Sequence, residues 1–303
     1  VTTTTWSDLL RGAAVRLGDP VTAKWVVEEV AGVEAARLLL DGAAGAPTSA
    51  SERLDVMLAR LDAGEPLQHV LGHWSFRTID LVVDRRALVP RPETEVVVGH
   101  VLDELARMRA AKGASRVARR ASTRPSPVVL ELGTGSGAIA CAIVSEDEDV
   151  NVVAVDCSPD ALELAGENRG HLAPDAASRL VLASGDWYEG TAALLAGRGL
   201  GPTVDCIVSN PPYIAESEWA GLDPVVRDHD PYDALVAGPT GLECVEAVVA
   251  GAPELLVTGG ALVVEIAPWQ ASAAGEMARR AGARDVAVGL DLAGRARLVR
   301  ARW

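Results

Sequence analysis

The stretch Asp205-Cys206-Ile207-Val208-Ser209-Asn210-Pro211-Pro212-Tyr213 carries an apolar strand pattern straight into two prolines flanked by an amide and an aromatic side chain. That combination suits one kind of chemistry. An amide or aryl-amine nitrogen is a poor nucleophile, because its lone pair is delocalised into the neighbouring π system. The side-chain oxygen of Asn210 can accept one of its hydrogens and the carbonyl of Pro211 the other. With both hydrogens tied in the plane, the lone pair is directed out of it, towards an incoming methyl group. Adjacent prolines fix φ and remove competing N–H donors, so both acceptors keep their aim. Tyr213 offers an aromatic face to a flat group. Catalysis is therefore expected from Asn210, Pro211 and Tyr213, and substrate contacts from Asn210, Pro211, Pro212 and Tyr213.

A second constellation lies upstream. Val128 to Ala140 reads as a strand, a glycine-rich turn at Gly133-Thr134-Gly135-Ser136-Gly137, then a helix. Glycine allows a sharp turn and close approach to a ligand, and a helix N-terminus presents free N–H groups. Gly133, Gly135 and Ala138 also satisfy the dinucleotide fingerprint, so this turn alone does not choose between adenosyl compounds and NAD. Asp156, at the tip of the next strand, can accept hydrogen bonds from both hydroxyls of a ribose. At the third strand's end, Trp187 supplies a flat partner and Asp186 an acceptor for adenine. Hydride transfer has no use for the Asn210 loop. An adenosyl methyl donor does.

These residues need a frame. From Val128 onward, strand-like runs alternate with helical segments: Val128–Leu132, Val152–Val155, Leu180–Ala183, Val204–Ser209, Ala261–Ile266, Asp285–Val288 and Arg297–Arg300 are the strands. Pro159–Arg169, Gly241–Leu256 and Trp269–Ala281 are the clearest helices. Alternation of this kind predicts an α/β fold around a mostly parallel sheet. The last two strands are joined by a segment too short for a crossover helix, so they should pair antiparallel, placing one antiparallel strand at the sheet's end. Before this region, Trp6 to Asp62 reads as short helices without strands, including a helix capped by Asp19 and Pro20, one over Ala35–Leu40 and one over Ser51–Leu61. Val70–Phe76 and Ile79–Asp84 then form a hairpin about Arg77-Thr78, followed by a proline loop that caps a helix running through Leu102. The expected division is a helical module over 1–68, a hairpin connector over 69–89 and the α/β domain over 90–303.

Composition narrows the setting. Hydrophobic residues make up 49% of 303 residues, enough for a substantial core in a soluble protein, and a single phenylalanine, Phe76, leaves the filling to aliphatics. The formal charge of −14 opposes binding along a phosphate backbone, which depends on neutralising phosphates. The run holding Arg107, Arg109, Lys112, Arg116, Arg119, Arg120 and Arg124 reads as a solvated linker rather than a binding patch. Cys141, Cys157, Cys206 and Cys244 form no C-x-x-C pair and sit in or beside apolar stretches, as buried reduced thiols do. No His/Cys/Asp cluster has metal-ligand spacing, and Asp228-His229-Asp230 reads as a solvated loop rather than a base. No apolar run approaches a membrane span and no signal-peptide pattern opens the chain, so the cytoplasm is expected.

Taken together, these motifs resemble the peptide chain release factor N(5)-glutamine methyltransferase family (HemK/PrmC), class I enzymes. The matches are Leu71-Gly72 with Phe76, Val89-Pro90-Arg91-Pro92-Glu93-Thr94-Glu95, Glu131 to Ala140, Asp156, Asp186-Trp187, Ser209 to Ile214, and Val226 to Pro231. The proline-rich Pro90 to Glu95 segment is the more specific pointer, since Asn-Pro-Pro-Tyr alone is shared with amino-methylating enzymes of DNA and RNA. The resemblance implies a Rossmann-like seven-stranded sheet with an antiparallel last strand. It implies S-adenosyl-L-methionine as cofactor, held by Gly133, Thr134, Gly135, Ser136, Gly137, Asp156, Asp186, Trp187 and Asn210. It implies release factors as protein substrates, their Gly-Gly-Gln glutamine gripped by Asn210 to Tyr213, and a helical module that helps to dock them. An adenine-N6 methyltransferase of nucleic acid is the alternative, which the acidic charge disfavours. The chain departs from the family pattern in its basic insertion and at Leu292 to Arg297.

Overall fold

A computed structural model describes residues 4–32, 44–114 and 126–303. It divides into two units: Val1–His73 with Asp223–His229, and Trp74–Leu222 with Asp230–Trp303. In the first unit, α1 (Trp6–Leu17) starts in a capping box of Thr5 with Asp8 and stops at Gly18, whose φ of 66° is left-handed. Asp19 caps α2 (Pro20–Ala31) by accepting from Val21 N at 2.9 Å, with Pro20 at the first position. The helix expected over Ser51–Leu61 begins earlier, as α3 (Thr48–Asp62), because Pro47 delivers an extended residue immediately before it. The helix expected over Ala35–Leu40 lies outside the described residues.

The first expected hairpin strand is shorter than its pattern. Val70 and Leu71 end a short helix, α4 (Leu67–Leu71), whose left-handed cap at Gly72 releases the chain into β1 (His73–Phe76). The Arg60 guanidinium secures the α3–α4 turn through Glu65 at 2.6 Å and the carbonyl of His69 at 2.9 Å. Val26, Val27, Leu54, Leu58 and Val70 pack into this unit's core. The short helix Pro224–Arg227 belongs to the same unit.

In the second unit, β2 (Ile79–Val82) completes the hairpin, and Arg77 turns it at a φ of 52°. Next come α5 (Thr94–Ala114), β3 (Val128–Leu132), α6 (Ala138–Glu146), β4 (Asn151–Asp156), α7 (Pro159–Gly170), α8 (Pro174–Ser178) and β5 (Leu180–Ser184). Then α9 (Thr191–Gly197), β6 (Val204–Ser209), β7 (Ile214–Ala215), β8 (Val236–Gly238), α10 (Glu243–Leu255) and β9 (Leu256–Glu265) follow, and α11 (Ala271–Arg280), β10 (Asp285–Leu290) and β11 (Ala296–Arg302) close the order.

The seven-stranded sheet runs β10-β11-β9-β6-β3-β4-β5. Its central strands β3 and β6 are buried at every position, as expected of parallel strands covered on both faces. Alternate residues sort by face. Val129, Cys206, Val208 and Val263 meet α5 and α6, whereas Leu130, Ile207, Leu262 and Val264 meet α10 and α11. This is the mostly parallel, Rossmann-like sheet that the alternation of strands and helices leads one to expect.

Two sequence expectations change. The antiparallel strand β11 does not lie at the sheet's end; it pairs antiparallel with both β9 and β10, leaving β10 as the edge. Burial explains the order: Leu298, Val299 and Ala301 of β11 are fully buried, while Val288 and Leu290 of β10 are exposed. The basic run is also not all linker. It starts inside α5, where Arg107 bonds Glu104 at 2.7 Å and Arg109 bonds Asp147 at 2.6 Å; Arg116 to Arg124 lie outside the described residues.

Asn168 of α7, 1% exposed, ties the hairpin to the glycine turn. Its Oδ1 accepts from Val82 N at 2.7 Å, and its Nδ2 donates to the carbonyls of Val82 and Ser136 at 3.1 and 2.8 Å. Asn168→Ala strands these buried backbone groups and is expected to cost about 2–3 kcal/mol, read as a lower midpoint in urea denaturation.

Candidate active site

Strands β3 to β5 step outward in one direction, whereas β6 lies on the other side of β3. Ligands of open α/β sheets bind at such a reversal, beyond the carboxyl ends of the strands. A cavity of about 480 Å³ occupies this position, bordered by Gly133, Thr134, Gly135, Ser136, Asp156, Asp186, Trp187, Asn210 and Pro212. Three expected residues do not border it: Gly137, Pro211 and Tyr213. Gly137 is needed for packing, since a Cβ there would lie 3.2 Å from the Ala165 Cβ and 3.3 Å from its Cα. Pro211 is buried.

The glycine turn is held from β4. Gly133 N and Thr134 N donate to the Val155 carbonyl at 2.9 and 3.1 Å, and Gly135 N donates to Asp156 Oδ2 at 2.8 Å. The other Asp156 oxygen accepts from Ser158 N at 2.9 Å, while Ser158 itself caps α7. Asp156 thus both shapes the turn and faces the cavity. Trp187 sits at a φ of 48°, a left-handed conformation that non-glycine residues adopt at a cost. It packs against the apolar core beneath the cavity.

Glu131, on β3, was not among the residues singled out for the site. Its carboxyl is 1% exposed and accepts from Thr134 Oγ1 at 2.7 Å and from the Ala140 N–H in the first turn of α6. Burial, and then the nearby Asp156 charge, push it up to about 8.

The Asn210 loop is fixed at both ends. Ser209 Oγ donates to the Leu132 carbonyl at 2.7 Å, tying β6 to the start of the glycine turn. On the far side, fully buried Gln270 donates to the Tyr213 and Gly241 carbonyls at 3.1 and 2.7 Å and accepts from Ala267 N at 3.0 Å. No local motif announces Gln270. Asn210 Nδ2 donates to Thr94 Oγ1 at 3.3 Å, and among the described residues no donor reaches its Oδ1. Burial raises the Tyr213 hydroxyl above its ordinary value. Arg91, which borders the cavity, is paired with buried Asp230 at 2.6 Å. Asp228 is exposed and paired with Arg227.

The cysteines depart from the expectation of four buried thiols. Cys141 and Cys206 are buried, and burial pushes Cys141 up to about 12. Cys157 is exposed and Cys244 half-buried, both on the cavity wall. Cys157 follows Asp156 past the end of β4, beyond the sheet's cover. Among the described residues, no three His, Cys, Asp or Glu side chains are grouped to hold a metal, and no helix is long and apolar enough to cross a membrane.

A family model described as the PrmC N-terminal domain matches residues 4–72, and one described as the methyltransferase small domain matches residues 107–222. A release factor glutamine methyltransferase from Deinococcus radiodurans is 38% identical over 301 residues, 97% of each chain. The chain belongs to the release factor glutamine methyltransferase family. Another member, from Cereibacter sphaeroides, is 35% identical over 302 residues, 98% of each chain. The solved hMettl16 catalytic domain in complex with MAT2A 3'UTR hairpin 6 shares the fold, with a TM-score of 0.51 at 13% identity, covering 84% of this chain and 81% of that one.

In this member of the glutamine methyltransferase family, buried Glu131 gives stability a defined pH dependence. Its native value of about 8 lies above the ordinary 4.5, so the folded state holds a proton that the unfolded chain releases. This contribution is present at low pH and is lost as pH rises from about 4.5 to about 8. Glu131→Gln is expected to flatten the fall, checked by urea midpoints of both proteins across that range.

Proposed function

We propose that this chain transfers a methyl group from S-adenosyl-L-methionine to the side-chain amide nitrogen of the glutamine in the Gly-Gly-Gln motif of peptide chain release factors. One observation carries the reading: Asn210 borders the cavity with its amide nitrogen occupied by Thr94, leaving its oxygen as the acceptor for an incoming N–H. The names of the relatives support release factors as the substrates.

The cavity suits the cofactor. Its volume lies within the range of small-molecule sites, roughly 300–1,000 Å³. Asp156 and Asp186 would face the ribose and the adenine amine, Trp187 would provide the flat partner, and the turn from Gly133 to Ser136 would lie against the chain of the molecule. When bound, the sulfonium supplies an electrophilic methyl carbon.

The residues of the chain act by holding. Asn210 Oδ1 and the Pro211 carbonyl would accept the two hydrogens of the glutamine amide, turning its lone pair towards the methyl carbon. With the cofactor bound, transfer would form the new C–N bond and break the C–S bond, whose electron pair would pass to sulfur. The nitrogen then loses its extra proton to solvent, so no base is required of Asp228 or His229. Pro212 and Tyr213 complete the grip on the substrate. Pre-organisation of this kind can remove roughly 7–11 kcal/mol of barrier.

The helical unit would help to dock the release factor, and the enzyme would work in the cytoplasm without a membrane. The charge of −14 argues against duplex nucleic acid as a partner, and with it the adenine-N6 alternative.

Asn210→Ala is expected to retain cofactor affinity within about threefold and to lose at least ~100-fold in kcat. Labelled-methyl transfer to a release factor measures the rate, and mass spectrometry of the product locates the methyl. Wild-type turnover in this variant, or a methyl on any residue other than that glutamine, sinks the reading.

A further inference from the structure

A carboxamide is nearly symmetric in shape, yet only one of its two ends can accept a hydrogen from a substrate amide. Asn210 must therefore be told which way to face. Its Nδ2 donates to Thr94 Oγ1 at 3.3 Å. A hydroxyl that accepts in this direction must send its own proton elsewhere, and a hydrogen-bonding partner stands behind it. Glu265, at the carboxyl end of β9, is 1% exposed and takes the Thr94 side chain as a hydrogen-bond partner. Among the described residues its buried Oε2 has no hydrogen-bond partner. An ionised carboxylate can only accept.

We propose that Glu265 and Thr94 are positioning residues: a buried carboxylate orients the Thr94 hydroxyl, which orients the Asn210 carboxamide so that its oxygen faces the substrate amide. This rests on the role given to Asn210 above and extends it to the groups behind it. The chain of bonds has one polarity because an acceptor-only group stands at its far end. Reversing that end reverses the rest. A protonated Glu265 could donate to Thr94, freeing the Thr94 proton for Asn210 Oδ1 and turning the wrong end of the amide towards the substrate.

The surroundings hold Glu265 near this reversal. Burial raises it to about 7, Thr94 and Arg297 on β11 oppose the rise, and Glu93 adds to it. Tyr213, its other titratable neighbour, is itself raised by burial and by the Glu265 charge. The working polarity is therefore present above about pH 7 and lost as pH falls through that value.

The test compares Thr94→Val, Thr94→Ser and Glu265→Gln with wild type and Asn210→Ala, measuring kcat and KM for a release factor, affinity for S-adenosylhomocysteine, and thermal midpoint. Thr94→Val is expected to lose about 10–100-fold in kcat, with product affinity unchanged within about threefold. Thr94→Ser, which restores the hydroxyl, should recover most of the rate. Glu265→Gln should lower kcat and remove the rise in rate that wild type shows as pH increases through about 7. Wild-type kcat in Thr94→Val, alongside an inactive Asn210→Ala, overturns the proposal and leaves the role of Asn210 standing. An active Asn210→Ala instead removes the reading beneath it. Parallel loss of product affinity and kcat in Thr94→Val marks a merely structural residue and also overturns the proposal. Should Thr94→Val fail to fold, Glu265→Gln decides: an unchanged kcat and pH profile there is equally fatal.

Discussion

Strand β6 is paired on both sides, with β3 and with β9, so its backbone direction is fixed to its last residue. The chain therefore leaves the sheet at Asn210 beside the turn that leaves β3, and the Ser209–Leu132 bond locks the two exits together. Everything required of the site follows from that placement. Two prolines deny the loop alternative φ values, and Gln270 holds its far end through the Tyr213 carbonyl. Gly241 is part of the same clamp: a Cβ there would lie 2.8 Å from the Tyr213 oxygen. The aim of the Asn210 side chain is thus set by the sheet, and rigid elements hold functional groups more closely than loops do.

Two acids are buried beside this edge, Glu131 on β3 and Glu265 on β9. Burying a carboxyl opposes its ionisation, and both are raised for that reason. Among the described residues, neither is satisfied by a full ion pair. Glu131 instead accepts from a hydroxyl and from an N–H at the start of α6, while Glu265 keeps one oxygen without a partner. Glu131 lies on the cavity wall, and an acid strongly raised by burial in a cleft is a candidate for function. The two acids give the site a polarity that a purely apolar lining would lack.

The sequence was most informative where local chemistry and chain order coincide. The turn at Gly133, the acid Asp156 and the loop at Asn210 each follow a strand, so their meeting at one sheet edge could be read from alternation alone. Side-chain direction could not. Gly137 belongs to the glycine motif but faces Ala165, and the buried Pro211 is not on the cavity wall. Strand neighbours were equally hidden: a short connection showed that β10 and β11 pair, but only the burial of Leu298 and Val299 decides which lies inside. Val70 and Leu71 read as strand because a short apolar run has no period, and Gly72 settled the matter by ending a helix. Gln270 and Glu265 escaped because their partners lie far away in sequence.

The placement of β11 has a bearing on how the chain acquires its fold. Both β9 and β10 precede it, yet each depends on it for a partner in the sheet. As synthesis proceeds, β9 presents one open edge and β10 has none of its final hydrogen bonds until Ala296–Arg302 arrives. A nascent chain halted before that segment would display an unpaired, apolar strand edge, the kind of surface that recruits other strands. Chaperone protection is then most needed until that segment has emerged, and deletions within Ala296–Arg302 should harm solubility more than their distance from the cavity suggests.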